Sequence, residues 1–476
     1  MSMSYVVCRI WYVVLRIAYC VSRIAPQGAL VAYGASVAGW RRRVTSGGWR
    51  LGPGEKGLVL VGVLWLKIIL IAIVAIASQN SRLDFKVRVI GTEEIRCRWA
   101  CRAGIEKAVG ILNEDPKECD DLMELWSDND EDFNGIALEG CAFSVRMIDE
   151  ASKLNVNMAT KEQLMELPEM LEEIADAIID WRDSDSTVSG AGAEGEYYEL
   201  LPYPYTIRNG PFQTLRELLL VRGVTEELLY GEDTNFNGQL DRNENDGDQT
   251  PPNDDANGEL DLGWIEYLTC YSYDKNTDAD GEARININQA SQSELESSLV
   301  LSSSHARWIV DNRSYSSIGD LINTNSSKEP QSGNSNNAQP LDLQTFASIA
   351  DKITVGSSQQ TQGKVNINTA SEYVLAALMG GGESGMQLAE DIIAYRKEQL
   401  YGMESIADVL KAGGMSVATF KQVADLITVR SDVYTIRCVA TGTRAAGDGL
   451  SIRTETVVDR SSSPYETLYW YQGANN

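Results

Sequence analysis

Histidine is nearly absent from this chain of 476 residues, and its scarcity restricts the chemistry open to the protein. The one histidine is His305, so Ser-His-Asp catalysis, Cys-His catalysis and His-rich zinc sites would all depend on that side chain. The sequence also lacks a nucleophile elbow, a phosphate-binding P-loop and an HExxH motif. We therefore predict that the protein is not an enzyme.

Cysteine pairs with the CxxC spacing of zinc and redox sites are also absent. Six of the eight cysteines follow residue 77, namely Cys97, Cys101, Cys119, Cys141, Cys270 and Cys438. Cys97 and Cys101 are four residues apart and would share one helix face. We expect these cysteines to be mainly small buried residues, and the sequence leaves one disulfide open.

Positive charge is scarce as well. Lys and Arg total 41 against 68 Asp and Glu, which gives a net charge of −27. Residues 1–57 contain seven Arg, one Lys and one Glu, so the acidity belongs to the rest of the chain. Such a body repels phosphate backbones and suits divalent cations, and we expect no nucleic-acid partner.

The chain has one long apolar run, residues 58–77, interrupted only by Lys67. As a helix it would span roughly 30 Å, the thickness of the hydrocarbon core of a bilayer. Basic residues precede it, including Arg50 and Lys56. The positive-inside rule therefore predicts a single-pass inner-membrane anchor with the acidic body in the periplasm.

The start of this run carries a processing signal. Lys56 and Gly57 directly precede Leu58, a junction that resembles the cleavage site of prepilins and pseudopilins, which are cut after the glycine. The resemblance implies that prepilin peptidase removes residues 1–57 and leaves a methylated N-terminal Leu58. A rival signal-peptidase site ends at Ala77, although the apolar run is long for an ordinary signal peptide.

A long helix and several strands are predicted beyond the anchor. No proline occurs from Ser81 to Leu112, and the spacing predicts one apolar helix face made of Val87, Ile90, Ile95, Trp99, Ile105 and Val109. Alternating apolar residues predict strands at 140–149, 433–440 and 450–458. Strands at both ends of the body with helical repeats between them predict an α+β fold.

One short pattern, Asn-x-Asn-x-Ala-[Ser/Thr], occurs three times, at residues 155–160, 286–291 and 366–371. Each copy is followed by a segment ending in Arg, at Arg182, Arg313 and Arg396. The first two copies contain capping boxes, Thr160 with Gln163 and Ser291 with Glu294, which predict helix starts. The repeats resemble helix-hairpin-helix modules. The glycine hairpin with which DNA-binding members hold phosphate is poorly kept, so a packing role is favoured.

Residues 233–244 match the calcium-loop pattern D-x-[DN]-x-[DN]-G-x5-E. The predicted ligands are Asp233, Asn235, Asn237, the Gln239 carbonyl, Asp241 and Glu244. A second, weaker loop contains Asn253, Asp255, Asn257, Glu259 and Asp261 but has Trp264 at the bidentate position. It would need Glu266 or Asp248 to complete it, or would bind nothing. We expect the calcium to be structural.

Together these features resemble the K-type minor pseudopilin of the type II (general) secretion system. The resemblance covers most of residues 55–460, including the Gly57 junction, residues 101–105, 149–157, 209–223 and 364–370, and the terminal strands. It implies a pilin-like long helix and a small antiparallel sheet, with a large α-helical domain inserted between the parts of the sheet. It also implies bound calcium.

The resemblance further implies a structural subunit at the tip of the pseudopilus that aids its assembly and protein export. Its partners would be other minor pseudopilins, prepilin peptidase and the inner-membrane secretion platform. The fifth residue after the cleavage site is Gly62 rather than the Glu of major subunits, which fits a subunit with no other above it. Predicted domains are 1–57 (leader), 58–112 (helix), 113–154 (first part of the core), 155–355 (inserted domain with calcium loops), 356–430 (third repeat) and 431–476 (terminal strands).

Two other functions stay open at this point. A membrane-anchored DNA receptor of the competence type also joins an N-terminal anchor to such repeats, although the net charge and the missing hairpin glycines disfavour it. A minor type IV pilin or calcium-dependent adhesin would differ in its partners more than in its chemistry.

Overall fold

The computed structural model describes residues 55–233, 240–252, 254–322, 338–442, 450–462 and 464–474, with side chains from residue 61 onward except that of Asp248. The chain divides into two compact units, Met1–Arg82 and Leu83–Asn476. One helix of 60 residues, α1 (Glu55–Glu114), runs from the first unit into the second. It ends two residues before Pro116, whose ring disfavours helical backbone in the residue before it.

The other α-helices in the described part of the chain have between 4 and 17 residues. In chain order they are α2 (Asp130–Phe133), α3 (Lys161–Leu164), α4 (Glu172–Arg182), α5 (Gly195–Glu199), α6 (Glu226–Tyr230), α7 (Gln292–Ser298), α8 (Ser303–Asp311), α9 (Leu343–Ile349), α10 (Glu372–Leu378), α11 (Gly382–Glu398) and α12 (Val417–Val423). Short 3-10 helices occupy Glu150–Ser152, Leu215–Leu220, Arg242–Glu244, Gly247–Gln249, Trp264–Glu266, Ile318–Leu321, Ala350–Lys352 and Ile406–Lys411.

The strands fall into one sheet and several two-residue ladders. In chain order they are β1 (Ile136–Leu138), β2 (Cys141–Asp149), β3 (Leu154–Asn155), β4 (Leu268–Thr269), β5 (Tyr273–Asp274), β6 (Ile285–Asn286), β7 (Ile353–Thr354), β8 (Thr361–Gln362), β9 (Val365–Asn366), β10 (Ile427–Thr428), β11 (Val433–Gly442), β12 (Ser451–Asp459) and β13 (Glu466–Ala474).

The sheet has five strands in the order β1-β2-β11-β12-β13, and every pair is antiparallel. The central strand β11 pairs Ile436 with Met147 on one side and with Thr456 on the other. Cys101, Ile105 and other residues of α1 form one apolar core with residues of this sheet. Strands from both ends of the body therefore combine with one helix around a common core.

A second apolar core belongs to the helical part between β2 and β11 and extends from Leu154 to Val429. Three parallel two-residue ladders lie in this part, formed by β3 with β4, β6 with β7, and β9 with β10. Each ladder contains the first Asn of one of the three sequence repeats. The three repeats therefore share one local arrangement, in which a later part of the chain returns to pair with the strand that contains the first Asn.

The fold prediction is confirmed at the level of a mixed helix and sheet structure with a long N-terminal apolar helix. The strands predicted at 140–149, 433–440 and 450–458 correspond to β2, β11 and β12. Both predicted capping boxes are present, at the starts of α3 and α7. The two outer strands, β1 and β13, were not predicted from the sequence.

The predicted apolar face of α1 is partly wrong. Ile105 and Val109 are buried, but Val87, Ile90, Ile95 and Trp99 are exposed, Trp99 by 70%. Smaller residues replace them in the core, namely Cys97, Ala100, Cys101 and Ala108. Short side chains let the helix backbone approach the sheet, so small residues fill the core around residues 97–101 while Ile95 and Trp99 stay at the surface.

The six cysteines beyond residue 77 are free thiols in the structure. Cys97 and Cys101 are both buried on the same helix face, as predicted. Burial raises the pKa of the Cys97 thiol to about 11. Its reactive thiolate form is therefore scarce at neutral pH.

Candidate functional site

The predicted processing junction lies in the first turns of α1, where Gly57 and Leu58 both have helical backbone. From Val61 onward this helix is long and apolar enough to span a membrane, judged by length and composition. Its apolar residues from Val61 to Ile76 are largely exposed. An apolar helix surface of this length needs a lipid or protein environment.

The exposed apolar surface of α1 continues into the second unit. Phe85, Val87, Ile90, Ile95 and Trp99 are each more than half exposed. Further along the same helix, Cys97 and Cys101 are buried in the core that α1 forms with the sheet. A run of large exposed apolar residues on one element marks a surface suited to packing against another protein.

Three of the predicted ligands of the first calcium loop lie in the described part of the chain, and Asn235, Asn237 and Gln239 lie outside it. Asp233 and Glu244 are buried, and the backbone N–H of Asp241 donates to Glu244 Oε2 at 2.9 Å. Burial raises the pKa of Glu244, and the carboxylates of Asp233 and Asp241 raise it further. Several carboxylates therefore share one partly dehydrated region, which favours a bound cation.

In the second predicted loop, a carboxylate that was not predicted from the sequence joins two that were. Carboxylate oxygens of Glu232, Asp255 and Asp261 lie within 4.8 Å of one another. Glu232 and Asp261 are also joined through the backbone, since the Glu232 N–H donates to the Asp261 carbonyl at 3.0 Å. Asn253 lies outside the described residues. The sequence offered one sign of this residue, because Glu232 directly precedes Asp233, the first predicted ligand of the other loop.

Asn257 and Glu259 belong to the turn of this second loop rather than to its carboxylate group. The Asn257 amide donates to Asp255 Oδ2 at 2.9 Å, and the Glu259 N–H donates to Asn257 Oδ1 at 2.6 Å. Both residues are exposed. Of the five predicted residues, the structure therefore brings together Asp255 and Asp261.

Glu266 was a wrong choice to complete the second loop. It accepts hydrogen bonds from Arg437 at 2.6 Å and from Arg146 at 3.2 Å. Burial alone would raise the pKa of Glu266, but these arginines and Lys153 outweigh it and hold the pKa at about 2. Its charge is already compensated by the sheet. The side chain of Asp248, the other choice, lies outside the described residues.

The repeat residues form internal hydrogen bonds. In the third repeat, Asn368 donates to the Met403 carbonyl at 3.0 Å and accepts from the Met403 N–H at 2.8 Å. Asn366 Oδ1 accepts from the Asn368 N–H at 3.0 Å. Asn157 makes the same pair of bonds with Phe212, and Asn288 makes them with Tyr315. The second Asn of each repeat therefore holds the stretch of chain that follows the repeat's arginine segment.

The arginines complete the repeat. Arg396 donates to the carbonyls of Ile367 at 3.0 Å and Ala370 at 2.7 Å. Arg182 binds the carbonyls of Val156 and Ala159, and Arg313 binds those of Ile287 and Ala290. In all three repeats the guanidinium hydrogen-bonds the backbone of the Asn-x-Asn-x-Ala segment. The predicted packing role is supported by this geometry.

Comparison with known families identifies two segments of the chain. Residues 141–230 match the first domain of the family "Type II secretion system (T2SS), protein K", and residues 365–430 match a further domain of the same description. Both segments match the type II secretion system protein K family. The first matched segment contains β2 and the first repeat, and the second contains the third repeat from β9 to β10.

Individual protein K relatives are distant. The chain is 21% identical over 196 residues to type II secretion system protein K of Pectobacterium carotovorum subsp. carotovorum, which covers 37% of this chain and 60% of that protein. The match thus spans less than two thirds of the relative. A chain in the crystal structure of the GspK-GspI-GspJ complex from the type 2 secretion system of enterotoxigenic Escherichia coli is similar at 13% identity. The TM-score is 0.43, over 80% of this chain and 98% of that one.

The two protein K segments leave residues 231–364 between them unmatched. That interval contains the second repeat and all residues of both predicted calcium loops. The match to the protein K family therefore rests on strand β2 and on the first and third repeats. The assignment of the calcium ligands depends on this chain's own residues.

Proposed function

We propose that this chain is a structural minor pseudopilin at the tip of the periplasmic pseudopilus of a type II secretion system, where it aids initiation of pseudopilus assembly and protein export. The main support for this proposal is the arrangement of helix α1 in a chain that matches the protein K family. Its first part is an exposed apolar helix, and residues such as Cys101 and Ile105 of its second part form a core with an antiparallel sheet. In this role the protein catalyses no reaction.

The proposed location is the inner membrane, with one span and a periplasmic body. The apolar helix after Leu58 and the basic residues before it support this orientation. Prepilin peptidase would cleave after Gly57, and methylation would follow at Leu58. The other partners we propose are the inner-membrane secretion platform and the remaining minor pseudopilins.

Gly62 supports the tip position. In major subunits a carboxylate at the fifth mature position is expected to neutralise the terminal amine of a neighbouring subunit within the membrane. Gly62 cannot supply that charge. Burying an amine in lipid without a partner is costly, so a subunit placed above this one would be disfavoured.

The repeats support a structural role over DNA binding. Their helix-hairpin-helix likeness is a sequence resemblance, and the groups that characterise them are engaged within the protein. Asn368 binds Met403, and Arg396 binds backbone carbonyls. A net charge of −27 also opposes contact with a phosphate backbone.

We further propose that calcium stabilises the region 231–261. Asp233, Asp241 and Glu244 would contribute to one site, with Asn235, Asn237 and the Gln239 carbonyl as its remaining predicted ligands. Glu232, Asp255 and Asp261 would contribute to a neighbouring one. Oxygen-only ligands at this density suit a hard divalent cation. The ion would hold this acidic segment against the buried helical core and would take no part in catalysis.

Photo-crosslinking tests the proposed partners. A crosslinking residue would replace Phe85 or Trp99 on the exposed surface of α1, in cells that carry the cognate secretion system. We expect adducts with other minor pseudopilins from both positions. A crosslinker at Tyr203, an exposed residue of the helical body, is the control and should give far fewer. Equal yields from all three positions, or no pseudopilin adduct, would refute the proposed packing.

Labelling tests the tip position separately. Gold-labelled antibody against this chain should mark one end of isolated pseudopili. Label distributed along the fibres would contradict the role assigned to Gly62.

A chelator tests the proposed calcium. Removal of the ion should lower the Tm of the full chain, and Glu244→Gln should reduce that response. An unchanged Tm on chelation would remove the calcium proposal and leave the pseudopilin proposal intact.

A further inference from the structure

Strand β2 has a neighbouring strand along its whole length on one side, but for only three residues on the other. It pairs with β11 from Cys141 to Asp149, whereas β1 covers only Cys141–Phe143. In the described part of the chain, no other strand and no backbone hydrogen bond from a loop reaches Ser144–Ile148. Alternate N–H and C=O groups of these five residues, the open edge of β2, are therefore left for another partner.

A groove of about 650 Å³ follows the open edge. Successive residues of a strand point to opposite faces, so a cavity over one face contacts every second residue. The groove contacts β11 in this way, at Arg437, Val439 and Thr441, and the intervening residues of β11 pack in the core with α1. On β2, however, it contacts every residue from Ser144 to Asp149. The groove therefore covers the outer face of β11 and continues around the edge of β2.

Apolar side chains from two parts of the chain also line the groove. Leu122, Trp126 and Phe133 come from the segment between α1 and β1, and Leu262 and Tyr267 come from the helical body. Leu122 is 43% exposed. Apolar side chains beside an open strand edge suit an extended peptide, because its backbone can bond to the strand while its side chains pack on these residues.

Arg146 is the charged residue of the open edge. Its side chain lines the groove, is 41% exposed and donates to Glu266 Oε2 at 3.2 Å. Glu266 also accepts from Arg437, at the shorter distance of 2.6 Å. Arg146 Nη1 has no hydrogen-bond partner among the described residues. The half-exposed guanidinium therefore retains donors for an acceptor on an occupant of the groove, and a carboxylate is the strongest match.

The chemistry of the groove favours a polypeptide over other occupants. An open strand edge offers alternating backbone donors and acceptors, which another extended backbone matches and a nucleic acid does not. The net charge of −27 also repels a phosphate backbone. Two exposed carboxylates in the lining, Asp128 and Asp130, add a preference for a basic residue near one end of the bound segment.

We propose that the open edge of β2 binds an extended segment of a partner protein as an added strand. About five residues of the segment, spanning about 17 Å, would lie in the groove, with apolar side chains at alternate positions and a carboxylate opposite Arg146. Backbone bonds would supply affinity, and the lining would supply sequence preference. The proposal does not rest on the pseudopilin role, and the groove is separate from the exposed surface of α1 at Phe85 and Trp99.

Selection from a phage library of random linear eight-residue peptides, on the detergent-solubilised full chain, tests this site. We expect the selected peptides to alternate apolar residues around an Asp or Glu. Arg146→Gln should weaken binding of the same peptides, made synthetically, about tenfold through loss of a charge-assisted hydrogen bond. Arg307→Gln is the matched control, because Arg307 is 45% exposed and also forms one ion pair. It should leave binding unchanged.

Hydrogen exchange resolved to single residues locates the bound peptide. Alternate amides between Ser144 and Ile148 should exchange more slowly with peptide than without, while amides of β12, which has a strand on both sides, should not change. Ser144→Trp fills the groove and should abolish binding, with thermal unfolding as the check that the variant folds. Arg146→Gln and the exchange pattern keep the test decisive if it does not.

Three results would overturn the proposal. The first is that no peptide is selected. The second is that the selected peptides bind the folded Ser144→Trp variant as strongly as the parent, or leave exchange at the open edge unchanged. The third is that the parent forms dimers that Ser144→Trp abolishes, because the open edge would then belong to a second copy of this chain rather than to a partner protein.

Discussion

Arg437 Nη1 of strand β11 donates to Glu266 Oε1 at 2.6 Å and joins the sheet to the helical body. The two residues are 171 positions apart in the chain. Glu455 of strand β12 also accepts from Arg437, at 3.0 Å, and both side chains of the first pair are largely buried. This ion pair therefore links strand β11 of the sheet to the 3-10 helix Trp264–Glu266, which lies in the part of the chain that contains the repeats.

Replacing Glu266 by Gln should destabilise the body substantially. The change leaves the Arg437 guanidinium buried with only part of its charge compensated, and removal of one partner from a buried pair costs about 3 kcal/mol. The measurement is the free energy of unfolding by denaturant. Glu94→Gln is the control, because Glu94 and its partner Arg98 are both well exposed and their pair is expected to contribute below about 1 kcal/mol. Equal effects of the two variants would contradict the bridging role.

The same pair predicts an acid transition. Glu266 has a pKa of about 2 in the folded protein, against an ordinary value of 4.5. Because the folded pKa is depressed, the stabilisation is complete above pH 4.5 and is lost as the pH falls towards 2. The difference in stability between the parent and Glu266→Gln should shrink over that interval by on the order of 3 kcal/mol. A difference that stays constant from pH 6 to pH 2 would exclude this contribution.

Gly104 and Gly110 on helix α1 provide a matched test of helix packing. A Cβ on Gly104 would lie 2.8 Å from Cys438 Sγ and 2.9 Å from Phe143, whereas nothing lies within 4 Å of one on Gly110. Gly104→Ala should therefore destabilise the protein by about 1–3 kcal/mol through overpacking. Gly110→Ala should stabilise it by up to about 1 kcal/mol through helix propensity. Thermal unfolding measures both, and the same sign for both would contradict the packing described.

Arg396 tests the shared architecture of the repeats. Arg396→Ala removes the donors to the carbonyls of Ile367 and Ala370 and should cost about 2–3 kcal/mol. Lys397→Ala changes the next residue, which is exposed, and should stay within about 0.5 kcal/mol. Denaturant unfolding again provides the comparison. An Arg396 variant as stable as the Lys397 variant would assign this arginine to something other than repeat packing.

Elements with strong local signals could be predicted from the sequence. Strand β2 alternates buried and half-buried residues over most of its length, and β11 and β12 are rich in apolar and β-branched residues. The repeats carry their spacing and two capping boxes. Strand β13 was missed because it lies at the edge of the sheet and buries no complete face. The parallel ladders were missed because a two-residue strand such as β4 is defined only by a partner more than a hundred residues away.

Predictions of individual site residues were wrong where the contacts of a side chain depend on a residue far away in the sequence. Asp255 and Asp261 are brought together, but Glu266 could not be rejected without knowing that Arg437 lies beside it. The predicted face of α1 included Ile95 and Trp99 because apolar residues with helical spacing were expected to form one buried face, but both are exposed. In the structure, the close approach of helix and sheet selects small residues such as Ala100 and Cys101. Carboxylate groups built from separate segments carry no local motif.

The N-terminal residue of the mature protein, determined from membranes with and without active prepilin peptidase, tests the central claim most directly. The account predicts a start at Leu58, methylated on its amine, that depends on the peptidase. An uncut chain, or cleavage beyond Ala77 on the far side of the apolar run, would contradict assignment of this chain to a pilin-type fibre.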